Sequence, residues 1–133
     1  MAVDTSVVVA AFASWHESHG PCRRAMRQRP TLPAPCALET YAVLTRLPPP
    51  HRAPAGLVRD FLSASFPHPY LVLPPERVVA LLRELADEGI TGGATYDAQV
   101  AAVTLEAGAT LLSLDRRAAV TYLRMGVTVE YLA

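Results

Sequence analysis

The chain has 133 residues and a mass of 14.3 kDa, about the size of one domain. Hydrophobic residues make up 51% and charged residues 18%, a balance that excludes a disordered chain and predicts a packed globule. Twelve basic and twelve acidic side chains cancel, so bulk charge cannot hold a nucleic acid and any such site must be a local patch.

Prolines punctuate the chain around 30–35, 48–54, 67–69 and 74–75. Between these marks the apolar pattern changes type. A short strand at 2–3 leads into Asp4, an apolar helical turn covers 7–12, and a second helix covers about 16–28. A short strand is predicted at 31–34. The next helix, 37–46, carries apolar Leu38, Tyr41 and Ala42 on one side. Another covers 55–66 with Leu57, Val58, Phe61 and Leu62, followed by a strand at 70–73. The amphipathic stretch 76–88 places Val78, Val79, Leu81, Leu82 and Leu85 inward and Arg83, Glu84, Asp87 and Glu88 toward water. Gly89 ends it. A small-residue helix at 96–107 stops at Gly108, a buried strand covers 110–114, a helix at 116–125 closes at Gly126, and a last strand covers 127–131. Strands alternating with helices predict an α/β fold, one domain over 1–133, with a mostly parallel sheet and helices on both faces. In such sheets, sites lie beyond the carboxyl ends of the strands.

Absent residue types narrow the chemistry. The chain has no Lys and no Asn, Ile90 is its single isoleucine, and all twelve basic residues are Arg. These absences follow AT-rich codons and point to a GC-rich bacterial genome. Without Lys there is no P-loop lysine, no Schiff base and no lysine-dependent phosphoaspartyl receiver. Cys22 and Cys36 fit no CxxC or zinc spacing, which predicts a reduced cytoplasmic chain. The longest apolar run, Val7 to Ala13, falls far short of the ~20 residues that a membrane span needs.

Four of the twelve acids break their local pattern. Asp4 and Asp115 each directly follow a predicted strand. Glu39 and Asp97 each sit in the first turns of a helix with apolar neighbours. A carboxylate among apolar side chains costs several kcal/mol unless something pairs with it, and no lysine is available. Strand carboxyl ends and helix N-termini share one rim of a doubly wound sheet. An all-oxygen cluster there suits Mg²⁺, with Mn²⁺ as a substitute, and such an ion activates water and clamps phosphodiester oxygens. The alternative for each acid is a helix cap that satisfies backbone N–H groups and the helix dipole.

On these segments the chain resembles the PIN-domain family, and more narrowly its VapC-type toxin ribonucleases. Val3-Asp4-Thr5-Ser6-Val7 is similar to the family's opening strand and first acid. The run from Ala37 to Pro48 resembles the helix with the second acid, Gly92 to Ala102 the segment with the third, and Leu112 to Ala118 the segment with the fourth. The similarity runs in order over essentially the whole chain. The resemblance implies a PIN-like three-layer fold and an Mg²⁺-dependent endoribonuclease. It also implies a homodimer, or a higher assembly with a small VapB-type antitoxin as partner. It makes Asp4, Glu39, Asp97 and Asp115 the catalytic, metal-holding acids, with Thr5, Ser6 and Ser113 as supporting hydroxyls. One departure is that only three residues precede Asp4, so the first strand is shorter than usual.

Four carboxylates repel RNA, so guanidiniums are needed nearby. Arg46, Arg116 and Arg117 adjoin the acidic segments and are the phosphate candidates. Arg23, Arg24, Arg27 and Arg29 form a second basic cluster that reads equally as a solvated helix end. His16-Glu17-Ser18-His19 invites a zinc-protease reading, but its histidines are three apart where that motif needs four, and no third ligand is in view. Phe12 and Trp15 read as core or as a groove for an antitoxin helix. Two rival functions remain: a non-catalytic interaction module on the same fold, and a small haloacid-dehalogenase-type phosphatase. The latter also opens with Asp after a strand, but wants a second Asp two residues on, where this chain has Ser6.

Overall fold

The computed structural model describes residues 1–132. Three short strands, β1 (Ala2–Val3), β2 (Leu111–Ser113) and β3 (Val129–Tyr131), pair in parallel in the order β1-β2-β3. Ala2 faces Leu111, and Leu112 faces Val3 on one side and Glu130 on the other. The predicted strands at 31–34 and 70–73 reduce to isolated parallel bridges, Ala2 with Thr31 and Pro33 with Leu71. Pro30, Pro33 and Pro35 lack the N–H groups that a continuous ladder requires. The segments still extend the sheet beyond β1, since Val3 N–H donates to Thr31 and Leu71 N–H to Leu32.

The helices are α1 (Thr5–Phe12), α2 (His19–Met26), α3 (Ala34–Arg46), α4 (Ala55–Ser65), α5 (Pro75–Glu88), α6 (Ala94–Glu106) and α7 (Ala119–Met125), with a 3-10 turn at Arg116–Ala118. α1 packs on α2 and α3, α3 on α4, and α6 on α5 and α7. The mixture of helices with a parallel sheet is the expected α/β class. Val3, Val7, Val8, Leu32, Leu44 and Leu111 are completely buried where these elements meet. Gly89 adopts a left-handed conformation, φ 67°, and its N–H returns to the last turn of α5, which explains why that helix stops there. None of the described helices is long and apolar enough to cross a membrane.

Two helix faces differ from the sequence reading. On α3 the buried residues are Cys36, Ala37, Thr40 and Leu44, while Leu38 and Tyr41 lie outside. Apart from Leu44, the buried residues of α3 are small, which lets its neighbours approach closely, and Leu38 and Tyr41 are left outside. On α5 only Leu81 and Leu85 are buried, and Val78, Val79 and Leu82 are exposed. The apolar stripe of α5 is wider than the contact α6 offers, so one edge packs and the other stays open. On α4, Val58 and Leu62 are buried and Leu57 is exposed. Phe12 is half-buried and meets Phe61 edge-on at 5.2 Å, so it serves packing, whereas Trp15 is exposed and lies 4.2 Å from the His51 ring.

Candidate active site

The site begins where β1 and β2 end side by side. Asp4 follows β1 and is 4% exposed. It is the N-cap of α1, and its Oδ1 accepts the Ser6 N–H at 3.1 Å. Ser6 Oγ also donates to Oδ1, and Ser113 Oγ and Tyr122 Oη donate to Oδ2, the latter at 2.9 Å. The two serines cross-brace the strand ends: Ser6 Oγ accepts from Leu114 N–H, and Ser113 Oγ from Asp115 N–H, each at 2.9 Å. Burial holds the Asp4 carboxyl above its ordinary range, and the hydroxyls of Ser113, Ser6 and Tyr122 pull against that shift. The same burial, with the Asp4 charge, pushes the Tyr122 hydroxyl up.

The other three acids reach the same place from different elements. Asp115 follows β2 and caps the 3-10 turn through the Arg117 N–H at 3.0 Å. Asp97 lies in the first turn of α6, and Glu39 in the second turn of α3. All four acids line one pocket of about 30 Å³, together with Thr5, Ser6, Cys36, Tyr96, Val100 and Tyr122. That volume admits a water-sized occupant. Desolvation raises the Asp97 carboxyl, the charges of Asp115, Glu39 and Asp4 add to it, and Arg117 opposes them. The expectation that all four sit among apolar neighbours is too broad. Asp4 is buried, Asp97 and Asp115 are half-buried, and Glu39 is exposed, as are Leu38 and Tyr41. Asp4 and Asp115 are also genuine helix caps, so the capping alternative describes part of what they do.

Among the described residues, no three His, Cys, Asp or Glu side chains already stand at a spacing that would hold one ion. Asp4 accepts four hydrogen bonds, which occupies about all the lone-pair positions a carboxylate has. The donor chemistry nevertheless suits a hard divalent cation, being all oxygen. Thr5 Oγ1, on the pocket wall, is buried without a hydrogen-bond partner, a cost that an added ligand would relieve. The donor set is thus of the type that Mg²⁺ or Mn²⁺ takes, while ligation would require the acids to close in and Asp4 to exchange hydrogen bonds.

The guanidiniums separate. Arg117 Nε lies 3.5 Å from Asp115 Oδ1 and lines a groove beside the pocket. Arg116 is exposed and rests 4.1 Å over the Tyr131 ring. Arg46 ends α3, about 10 Å along the helix from Glu39 at the usual rise, and lines neither pocket nor groove. Arg23, Arg27 and Arg29 line a different cleft with Met26 and Phe61. Three pocket residues were missed in the sequence. Tyr122 donates to Asp4 across 118 positions of chain. Cys36, whose thiol burial pushes up to about 12, and Tyr96 complete the wall. Tyr96 adjoins Asp97, and that adjacency was the one available signal; nothing local marks Tyr122 or Cys36.

The sequence that gathers these four acids has known relatives. The PIN domain family model matches residues 1–122, and the chain belongs to that family. Ribonuclease VapC40 of Mycobacterium tuberculosis, in strains CDC 1551 / Oshkosh and H37Rv, is 48% identical over 130 residues, spanning 98% of this chain and 97% of the relative. Ribonuclease VapC27 of Mycobacterium tuberculosis H37Rv is 41% identical over 131 residues, spanning 97% of this chain and 94% of the relative. Within the family, then, the chain is of the VapC type.

Proposed function

We propose that this protein is an Mg²⁺-dependent endoribonuclease and the toxin of a toxin–antitoxin pair. The observation that carries the reading is the meeting of Asp4, Glu39, Asp97 and Asp115 on one pocket. The relatives named as ribonucleases, similar over almost the full chain, support RNA as the substrate. Asp4, Glu39, Asp97 and Asp115 would hold a divalent cation, whose Lewis acidity would serve to activate water and offset phosphodiester charge. The protein's own part is positioning. Ser6, Ser113 and Tyr122 fix the Asp4 carboxylate, and Arg117 offers a guanidinium beside Asp115 for a phosphate oxygen. The phosphatase reading loses support at Ser6. That side chain braces Asp4 and Leu114, and no carboxylate stands two residues after Asp4.

The partners follow from two surfaces. Leu38, Val72 and Val78 line a cleft with Glu39 and Tyr96, and Val79 and Leu82 are exposed on α5 as well; this uncovered apolar area supports a homodimer. A carboxylate pocket attracts guanidinium or ammonium groups, which supports a VapB-type antitoxin that inserts an Arg or Lys there. The chain acts in the cytoplasm on this reading. The test is cleavage of a short RNA with Mg²⁺, with Mn²⁺ and with EDTA, followed by end-group analysis. The expected products carry 5′-phosphate and 3′-hydroxyl ends and form only with the metal. A 2′,3′-cyclic phosphate, or full activity in EDTA, overturns the mechanism.

A further inference from the structure

A groove of about 500 Å³ leaves the carboxylate pocket between α1, α3, the end of β2 and the segment joining α1 to α2. It shares Thr5, Ser6, Glu39 and Asp115 with the pocket, so a strand lying in it reaches the acids. Its size is that of a small-ligand site. Arg117 lines it together with His16, Glu17 and Ser18. Three carboxylates face this groove, those of Glu17, Glu39 and Asp115, and each repels a phosphodiester. The side chains that oppose them with N–H donors are Arg117 and His16.

His16 is held in place by its surroundings. Its Nδ1 accepts the Ser18 backbone N–H at 3.0 Å. With Nδ1 serving as acceptor, the neutral ring carries its proton on Nε2, which leaves one N–H donor for a ligand. Ser18 is the N-cap residue of α2, and the next residue, His19, bonds the Ala10 carbonyl of α1 through Nδ1 at 2.8 Å. The segment is thereby pinned to two helices, and the ring is pinned to the segment. A pre-positioned donor in a polar groove loses little freedom on binding.

We propose that His16 and Arg117 together hold one RNA phosphate beside the scissile bond, and that this groove is the path of the RNA strand on that side of the acids. The inference rests on the ribonuclease reading and adds to it a positioning residue, His16, 12 positions from Asp4 in sequence.

The test uses an RNA that the full-length wild-type protein cuts, with His16→Ala, His16→Gln and Arg117→Ala. His16→Ala should raise KM by at least about ten-fold, the loss expected for a hydrogen bond to a charged group, with kcat nearly unchanged. His16→Gln keeps an N–H at a comparable reach and should recover most of that loss. A methylphosphonate placed in turn at each phosphate near the cut removes one charge. One position should weaken the wild-type protein and leave the His16→Ala, Arg117→Ala double variant unchanged. An unchanged KM in His16→Ala, or no phosphate at which wild type is more sensitive than the double variant, overturns the proposal. So does a fall in kcat at constant KM, which would place His16 in the chemistry. Should His16→Ala fail to fold, the phosphonate scan on wild type, His16→Gln and Arg117→Ala decides alone. Wild-type protein that cuts no RNA in Mg²⁺ overturns the ribonuclease reading and this path together. Wild-type cleavage with an indistinguishable His16→Ala overturns the path alone.

Discussion

The rim beyond β1 and β2 and the outer side of α3 and α5 invert the usual rule in opposite ways. The rim buries charge: Asp4 is 4% exposed and takes hydrogen bonds from three side chains. The outer side exposes apolar bulk: Leu38 is 77% exposed and Leu82 is 63% exposed. Each costs free energy in the isolated chain, and each would be relieved by something added, a cation and a substrate at the rim and a second protein on the outer side. The two regions are neighbours, because Glu39 of the rim and Leu38 of the outer side are consecutive residues of α3. A chain that departs from solvation rules at two adjacent places shows where its stability has been given up for binding.

Breaking the rim has the largest effect. Asp97→Asn preserves shape and removes the charge, and should abolish RNA cleavage while circular dichroism shows an intact fold. Wild-type cleavage by this variant would remove Asp97 from the site.

The outer side is sharpened by two adjacent leucines of α5. Leu81 is buried, so Leu81→Ala should cost about 2–5 kcal/mol of stability in a denaturant titration. Leu82 is exposed, so Leu82→Glu should change the stability of the monomer fold by no more than about 0.5 kcal/mol. It should nonetheless turn a dimer into a monomer in sedimentation. A dimer that survives Leu82→Glu places the second copy elsewhere.

Within the rim, Tyr122→Phe tests the clamp on Asp4. The ring stays packed and one hydroxyl is lost, so cleavage should fall roughly 10–100-fold, the usual effect of removing a partner that orients a metal-binding group. An unchanged rate would make the hydroxyl a matter of folding only.

The smallest effect is electrostatic and is read without metal. In the metal-free fold the Asp97 carboxyl titrates above its ordinary value of 3.8. Between the two values the folded chain keeps a proton that the unfolded chain has released. The stability this contributes is complete below the ordinary value and is lost as pH rises through the folded one. In EDTA at pH 7, Asp97→Asn should therefore melt above wild type, and the gap should close as pH falls toward about 4. A variant that melts well below wild type at neutral pH would assign Asp97 a structural pairing instead.

The sequence by itself determined the order and type of most elements and which acids stand out of pattern. Gly89 and Gly126 end their helices because their left-handed conformation favours glycine, a local fact. Asp4 and Asp115 were legible because each directly follows a short apolar segment that reads as a strand. Periodicity, though, reports that a helix has an apolar stripe without saying what covers it. Hence Val78, Val79 and Leu82 read as inward and Leu38 and Tyr41 as one apolar side, while the structure turns Thr40 and Cys36 in and leaves those five in solvent. Proline chemistry trimmed the strands at 31–34 and 70–73 to single bridges, a loss that shows only when the partner ladder is in view. The tertiary structure alone decided that Tyr122 meets Asp4 and that His16 faces the groove with Arg117. Contacts between residues this far apart in the chain are set by strand register and helix packing, and no local spacing encodes them.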